Sequence, residues 1–174
     1  MPKILESMRE QLLETAKRQL LQNGYQRMTV RSVAAECGIA VGTVYNYFPS
    51  KDALIAAFVS GDWQNCVASI AAHTDDDART RFLRIYETLR AFTETYRPLF
   101  SDEGAAKVRH AAFLQRHMQL RGQIAALIAP VCGGEAFLPE FLAEALLVWT
   151  AEDKPFEPIW QIIQKLIVQG GIKE

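Results

Sequence analysis

The stretch TVRSVAAECGIAVGTVYNYFPSK (residues 29–51) reads as two short helices joined through a glycine turn. Thr29 is a good N-cap for the first helix, whose apolar residues recur at the spacing of a single helical face. Gly38 can adopt the positive φ that a sharp turn requires. The second helix spans about residues 41–47, and Pro49 follows it. Two helices in this arrangement predict a helix-turn-helix.

The second of these helices has one apolar face and one small, polar face. Because successive helical residues are about 100° apart, Val44 and Phe48 point inward while Gly42 and Asn46 point nearly opposite. A glycine inside a helix costs about 1 kcal/mol relative to alanine, and a close approach to DNA would explain Gly42. Asn46 suits a bidentate pair with adenine, and Thr43 suits a thymine methyl or a phosphate.

Side chains that suit DNA phosphates surround this helix. They carry hydroxyl, guanidinium and ammonium groups, and they are Thr29, Arg31, Tyr45, Tyr47 and Lys51. Lys51 starts a helix, where a cation is unfavourable, so a bound anion would remove the conflict. An ordinary turn flanked by half-buried aromatic residues is the alternative for each residue taken alone.

The longer stretch NGYQRMTVRSVAAECGIAVGTVYNYFPSKDAL resembles the DNA-binding region of TetR/AcrR-type transcriptional regulators, and GIAVGTVYNYFPSK is its most specific part. The resemblance covers about residues 5–60. It implies an all-α fold, with an N-terminal three-helix DNA-binding domain and a C-terminal helical bundle that binds a ligand and dimerises. By position it implies base contacts from Gly42 and Thr43, with Arg31 as a further candidate, and phosphate contacts from Thr29, Tyr45, Tyr47 and Lys51.

Ala40 departs from the pattern of that family. A Ser or Thr is common at this position, where its hydroxyl would cap the recognition helix or contact a phosphate. We therefore expect that contact to be absent from this chain.

Helical spacing also dominates the rest of the chain, and strand signals are scarce. Beyond the two short helices, the pattern predicts helices at about residues 4–23, 51–72, 78–96, 105–130, 136–150 and 156–169. Residues 1–50 are predicted to form the helix-turn-helix DNA-binding domain, and residues 51–174 the ligand-binding and dimerisation domain. No linker separates them, because the helix that begins at Lys51 belongs to both.

Composition and charge indicate a cytoplasmic protein. The net charge is −1 over 174 residues, but residues 1–60 hold seven basic and five acidic side chains, which favours the N-terminal part as the surface for a polyanion. The three cysteines lie far apart and show no disulfide framework. The N-terminus lacks the apolar region of a signal peptide, and no stretch is long enough to span a bilayer, so we expect no membrane partner.

The chain beyond about residue 75 contains no phosphate-binding loop and no HExxH or GxSxG motif, so we predict neither an enzyme nor a bound cofactor. The histidines lack the spacing of metal ligands, and no metal is expected. Large side chains mixed with a few polar ones suggest a small-molecule pocket. Its candidate residues are Trp63, Cys66, Tyr86, Phe113 and His117. Ordinary core packing is the alternative for each.

The last two predicted helices are too apolar for the surface of a monomer. We expect a homodimer in which they pack against their copies as a four-helix bundle. The predicted interface residues are Phe141, Leu142, Leu146, Trp149, Trp160, Ile163, Leu166 and Ile167. A helix pair buried within one subunit is the alternative.

The sequence thus predicts a repressor that binds double-stranded operator DNA and is released by a small-molecule effector in its C-terminal domain. The alternative is a DNA-binding architectural or protein-recruiting factor whose C-terminal domain only dimerises. A filled bundle core, or operator binding that is insensitive to metabolites, would favour the alternative.

Overall fold

The computed structural model describes residues 2–73, 76–100, 102, 106–134 and 136–170, with the side chains of residues 7–73, 76–99, 102, 117–134 and 136–168. Its regular elements are helices, and the described residues form no strand. In chain order the helices are α1 (Pro2–Arg27), α2 (Val30–Glu36), α3 (Val41–Tyr47), α4 (Lys51–Ala71), α5 (Ala78–Phe100), α6 (Ala106–Ile128), α7 (Leu138–Ala151) and α8 (Phe156–Gly170). A short 3₁₀ turn, Ala129–Val131, follows α6. The all-α prediction is confirmed.

The helix-turn-helix consists of α2, α3 and the turn between them. Thr29 caps α2, because its hydroxyl oxygen accepts a hydrogen bond from the Ser32 amide at 3.0 Å. Gly38 has φ of 68°, the left-handed value that was expected of the turn. Ala34 is buried where α2 packs, whereas the neighbouring Ala35 is exposed. Ala34 is therefore the small residue that allows α2 to pack closely.

Two helices differ from their predicted bounds. α1 was expected to end before Gly24, and Gly24 does leave helical geometry at φ 79° and ψ 171°, but the helix resumes and reaches Arg27. α5 was expected to end before Pro98, yet it continues through this proline to Phe100. The buried side chains of Tyr96 and Leu99 anchor the last turn of α5, and this tertiary packing outweighs the local effect of the proline.

The chain forms two compact units, the first comprising residues 1–63 and 95–112 and the second residues 64–94 and 113–174. The predicted boundary between residues 50 and 51 separates functions rather than compact units, and it stays a prediction. In the first unit, buried residues of α1, α2, α3 and α4 form the core, among them Leu12, Leu20, Val33, Val44 and Ile55. The Phe58 and Tyr96 rings stack there at 6.3 Å.

The second unit has its own aromatic core. Phe82 of α5 lies 6.0 Å from the Trp160 ring of α8, and Tyr86 lies 5.4 Å from the Phe156 ring. The apolar residues that recur along α5 at helical spacing include Ile85 and Leu89, which are also buried, and Phe92, which is half-buried. The apolar spacing of α5 therefore identified its core face correctly.

Candidate nucleic-acid interface

The recognition helix α3 exposes the face that the sequence assigned to DNA. Val44 and Phe48 are buried, whereas Gly42, Tyr45 and Asn46 are exposed. A Cβ atom built at Gly42 meets no atom within 4 Å. The fold itself would therefore accept a side chain at this position, and packing within the protein does not explain the glycine.

Thr43 and Tyr47 lie on the flanks of α3 and are half-buried. The Tyr47 ring lies 6.5 Å from the ring of Phe48, which anchors the end of α3 in the core. Both residues keep part of their surface available at the edges of the outward face.

The N-terminus of α3 has no side-chain cap, because Ala40 lacks a hydroxyl group. This residue takes the N-cap position and makes no side-chain hydrogen bond, although its carbonyl oxygen accepts from the Thr43 amide at 2.9 Å. The start of α3 therefore lacks a side-chain cap, and the missing phosphate contact stays a prediction.

The N-terminus of α2 presents two of the predicted DNA contacts. Thr29 and Arg31 are both exposed. Arg18 and Lys17 are engaged within the protein, Arg18 by Glu36 and Lys17 by Asp62 at 2.8 Å. Arg31 has no such acidic partner among the described side chains, so its charge remains available to an external anion.

Lys51 differs from the other candidates because the chain already supplies partners for its ammonium group. Its Nζ donates a hydrogen bond to the Tyr25 carbonyl oxygen and lies 3.7 Å from the centre of the Tyr25 ring. Burial lowers the pKa of Lys51, while the charges of Asp52 and Asp102 oppose that change. An external anion is thus not the only group that can satisfy a cation at the start of α4. Sequence reasoning missed Tyr25, since it lies 26 residues away.

The candidate ligand residues do not all belong to one compact unit. Trp63 is buried in the first unit, while Cys66, Tyr86 and His117 belong to the second, as does Phe113, whose side chain lies outside the described residues. The Tyr86 hydroxyl donates to the Lys154 carbonyl oxygen at 2.9 Å.

His117 of α6 also has a partner within the second unit. Its Nε2 lies 2.8 and 2.9 Å from the two carboxylate oxygens of Glu144. Internal partners therefore account for the polar groups of both Tyr86 and His117, and a ligand role for them stays a prediction.

Three of the predicted interface residues are placed wrongly by the sequence. Leu142, Leu146 and Ile163 are at most 1% exposed in the single chain, because α7 and α8 contribute them to the core of the second unit. They have no surface to offer a second subunit. The four half-buried residues of the set are Trp149, Trp160, Leu166 and Ile167, and Phe141 is 49% exposed.

The sequence also missed exposed apolar residues beside Phe141. Phe137 is 70% exposed, its ring lies 6.4 Å from that of Phe141, and Val148 is 40% exposed. Helical spacing places these three on one face of α7, opposite the buried Leu142 and Leu146. We call Phe137, Phe141 and Val148 the α7 patch. The α7 patch could have been predicted from the sequence, because apolar residues recur there on two opposite faces of one helix.

No helix in the described part of the chain is long and apolar enough to cross a membrane.

Known proteins match most clearly in the N-terminal third of the chain. Residues 12–58 match the family model described as bacterial regulatory proteins, tetR family. YuxN of Bacillus subtilis, an uncharacterized HTH-type transcriptional regulator, is 41% identical over 49 residues, which are 28% of this chain and 17% of YuxN. Because this chain spans so little of YuxN, the activity and partners of the whole protein are proposals.

Two further matches extend along most of the chain. The nucleoid occlusion factor SlmA of Shewanella amazonensis is 28% identical over 154 residues, 87% of this chain and 72% of SlmA. The crystal structure of Thermus thermophilus FadR, a TetR-family transcriptional repressor in complex with lauroyl-CoA, matches with a TM-score of 0.58 and 18% identity over 95% of this chain and 96% of that chain. At that identity the likeness shows the fold alone.

Residues 12–58 thus combine a helix-turn-helix geometry with a match to the tetR family of bacterial regulatory proteins. This part of the chain is similar to the bacterial regulatory proteins of the tetR family. Regulators of this family bind operator DNA and act as dimers.

Proposed function

We propose that this protein is a repressor that binds operator DNA as a homodimer and leaves it when a small molecule binds the C-terminal domain. The outward face of α3 carries the proposal. It combines Gly42, which no internal contact requires, with the exposed Asn46 and the half-buried Thr43. In a dimer, two such helices would enter successive major grooves of a pseudo-palindromic site.

The proposed contacts divide into two kinds. Gly42, Thr43 and Asn46 face the bases, and Arg31 is a further candidate for base contact. The phosphate contacts are Thr29, Tyr45, Tyr47 and Lys51. Base contacts determine which sequence is bound, whereas phosphate contacts add affinity to every sequence.

A small-molecule effector is supported by the FadR structure, which holds lauroyl-CoA in a protein of the same fold. Trp63, Cys66, Tyr86, Phe113 and His117 remain the proposed effector-binding residues. An effector changes operator affinity only by the difference between its own affinities for the two conformations. The proposed role places the protein in the cytoplasm.

The first experiment is the selection of bound duplexes from fragmented genomic DNA of the source organism. The affinity of Thr43→Ala is then measured for a selected duplex and for a scrambled duplex of equal length. A lost base contact is worth about 1–3 kcal/mol, so we expect roughly tenfold weaker binding to the selected duplex and little change on the scrambled one. Ser69→Ala, which removes an exposed hydroxyl from the second unit, is the matched control. Equal losses on both duplexes would contradict base reading by Thr43.

A second candidate function is favoured by the long match to SlmA, a nucleoid occlusion factor. In that case the protein would be an architectural or protein-recruiting DNA-binding factor whose C-terminal domain only dimerises. The same selection separates the two functions. Sites beside one or a few promoters, with binding that metabolite extracts weaken, support the repressor; many sites spread over the chromosome, with binding that extracts leave unchanged, support the architectural factor.

A further inference from the structure

Tyr25 contacts the ammonium group of Lys51 in two ways. Its carbonyl oxygen accepts a hydrogen bond from Lys51 Nζ, and its ring lies beneath the same atom, with 3.7 Å between Nζ and the ring centre. The negative face of an aromatic ring attracts a cation at this distance. Backbone and side chain of one residue thus define a position for the charge of Lys51.

The Tyr25 carbonyl is available because Tyr25 lies in the last turn of α1, which ends at Arg27. In a regular helix it would accept from the amide of Thr29, four residues later. The Thr29 amide instead donates to the Ser32 hydroxyl at 3.1 Å, within the cap of α2. The cap that starts α2 therefore leaves the carbonyl to Lys51.

The Tyr25 ring is itself fixed at its far end. The hydroxyl donates to Asp52 Oδ1 at 2.9 Å. Burial, together with this hydrogen bond and the charge of Asp52, raises the pKa of Tyr25 to about 12. The phenol consequently stays neutral and remains a donor throughout the physiological range, and the ring is held between Lys51 and its neighbour in the sequence.

We propose that Tyr25 is a positioning residue that holds the Lys51 ammonium ready for a DNA phosphate at the start of α4. The inference rests on the proposed phosphate contact of Lys51. An ammonium group has three N–H donors, and the Tyr25 carbonyl uses one of them, which leaves two for phosphate oxygens. A lysine that is already held in place loses less conformational freedom when it binds.

The test is a double-mutant cycle between Tyr25 and Lys51, measured by fluorescence anisotropy on the selected duplex and on its scrambled counterpart. Tyr25→Leu removes the ring and keeps the backbone carbonyl. We expect it to weaken binding to both duplexes by about threefold to tenfold, the range of a cation–π contact. In the Lys51→Ala background the same substitution should cause no further loss. Tyr25→Phe keeps the ring and should cause a smaller loss than Tyr25→Leu.

The salt dependence of DNA binding distinguishes the phosphate contact of Lys51 from the positioning role of Tyr25. Lys51→Ala should reduce the slope of log affinity against log salt by about one on both duplexes, whereas Lys165→Ala, an exposed lysine of the second unit, should not. An unchanged slope for Lys51→Ala would refute the phosphate contact itself. If that slope falls but Tyr25→Leu weakens binding equally in both backgrounds, or not at all, the positioning role of Tyr25 is wrong. Thermal melts check folding, and Tyr25→Met, which preserves side-chain bulk, enters the cycle if Tyr25→Leu is unfolded.

Discussion

Gln19 shows how a single polar side chain can orient the DNA-binding helices. It lies in α1 and is only 8% exposed. Its Oε1 accepts from the Ser32 hydroxyl and its Nε2 donates to Glu36, both at 2.7 Å. Because a carboxylate can only accept, the amide has one possible orientation. Gln19 thus joins α1 to two successive turns of α2.

The sequence did not identify this residue. Leu12, Ala16 and Leu20 recur in α1 at steps of four, a spacing that indicates a core face, and all three are buried. Gln19 read as one of the polar residues between them. Its burial depends on partners that lie 13 and 17 residues further along the chain, which a local pattern cannot reveal.

We expect Gln19→Leu to lower the free energy of unfolding by about 1 kcal/mol, because it removes the hydrogen bond between Gln19 and the half-buried Ser32 hydroxyl. Urea denaturation of the intact protein measures the change. Gln22→Leu, at an exposed position of the same helix, is the matched control and should stay within about 0.5 kcal/mol of the parent protein. Equal effects of the two substitutions would mean that the Gln19 hydrogen bonds contribute no net stability.

The same substitution should respond to pH in a defined direction. Hydrogen bonds from Gln19 and then from Arg18 lower the pKa of Glu36 below its ordinary value of 4.5. A lowered carboxyl pKa stabilises the fold above the unfolded pKa, and that stability is lost as the pH falls through the folded pKa. The difference between the parent protein and Gln19→Leu should therefore be largest at neutral pH and shrink below about pH 4.5. A difference that is independent of pH would exclude Glu36 as the partner responsible.

At the scale of single elements, local signals located the helix-turn-helix well. Thr29 and Gly38 take the cap and turn conformations that their chemistry favours, and both were identified from the sequence. The end of α5 was not predicted correctly, because Tyr96 and Leu99 are held by tertiary packing that outweighs the effect of Pro98. Local chemistry thus predicted starts and turns better than the end of a helix packed into the core.

The uncapped N-terminus of α3 provides a test at this scale. Ala40 already has the extended backbone of an N-cap, with φ −70° and ψ 145°, but lacks a hydroxyl. Ala40→Ser should therefore stabilise the protein by about 0.5–2 kcal/mol, the usual value of an N-cap. It should also tighten DNA binding if the new hydroxyl reaches a phosphate.

Thermal denaturation measures the change in stability caused by Ala40→Ser. Fluorescence anisotropy on the selected duplex measures the change in DNA affinity. Ala35→Ser is the control, since it adds a hydroxyl at an exposed position inside α2 and should cost about 0.5 kcal/mol or less. Failure of Ala40→Ser to stabilise the protein would show that the amides at the start of α3 already have adequate partners.

At the scale of the whole molecule, the apolar character of α7 and α8 was predicted correctly, but the residues that face outward were not. Composition identifies helices that are too apolar for a simple surface. Composition does not decide which of two apolar faces of a helix packs inside the subunit. In α7 the inner face is the one that carries Leu142 and Leu146. The outer face is the α7 patch, so the dimer prediction now rests on Phe137, Phe141 and Val148.

The α7 patch yields the corresponding prediction for assembly. Aromatic residues at the centre of an interface often contribute 2 kcal/mol or more each, on the order of a thirtyfold change in affinity. In a two-fold dimer each substitution acts twice, because the same patch lies on both subunits. We expect the protein to sediment as a dimer at micromolar concentration, and the double variant Phe137→Ser, Phe141→Ser to sediment as a folded monomer that binds the selected duplex more weakly.

Leu21→Ser is the control for this experiment, since Leu21 is an exposed apolar residue of the first unit, and it should leave the protein dimeric. A parent protein that is monomeric at micromolar concentration would contradict dimerisation altogether. A double variant that remains dimeric would instead move the interface away from the α7 patch. The half-buried Trp160, Leu166 and Ile167 of α8 would then be the next residues to replace, because they are the remaining predicted positions on α8 that still have surface to contribute.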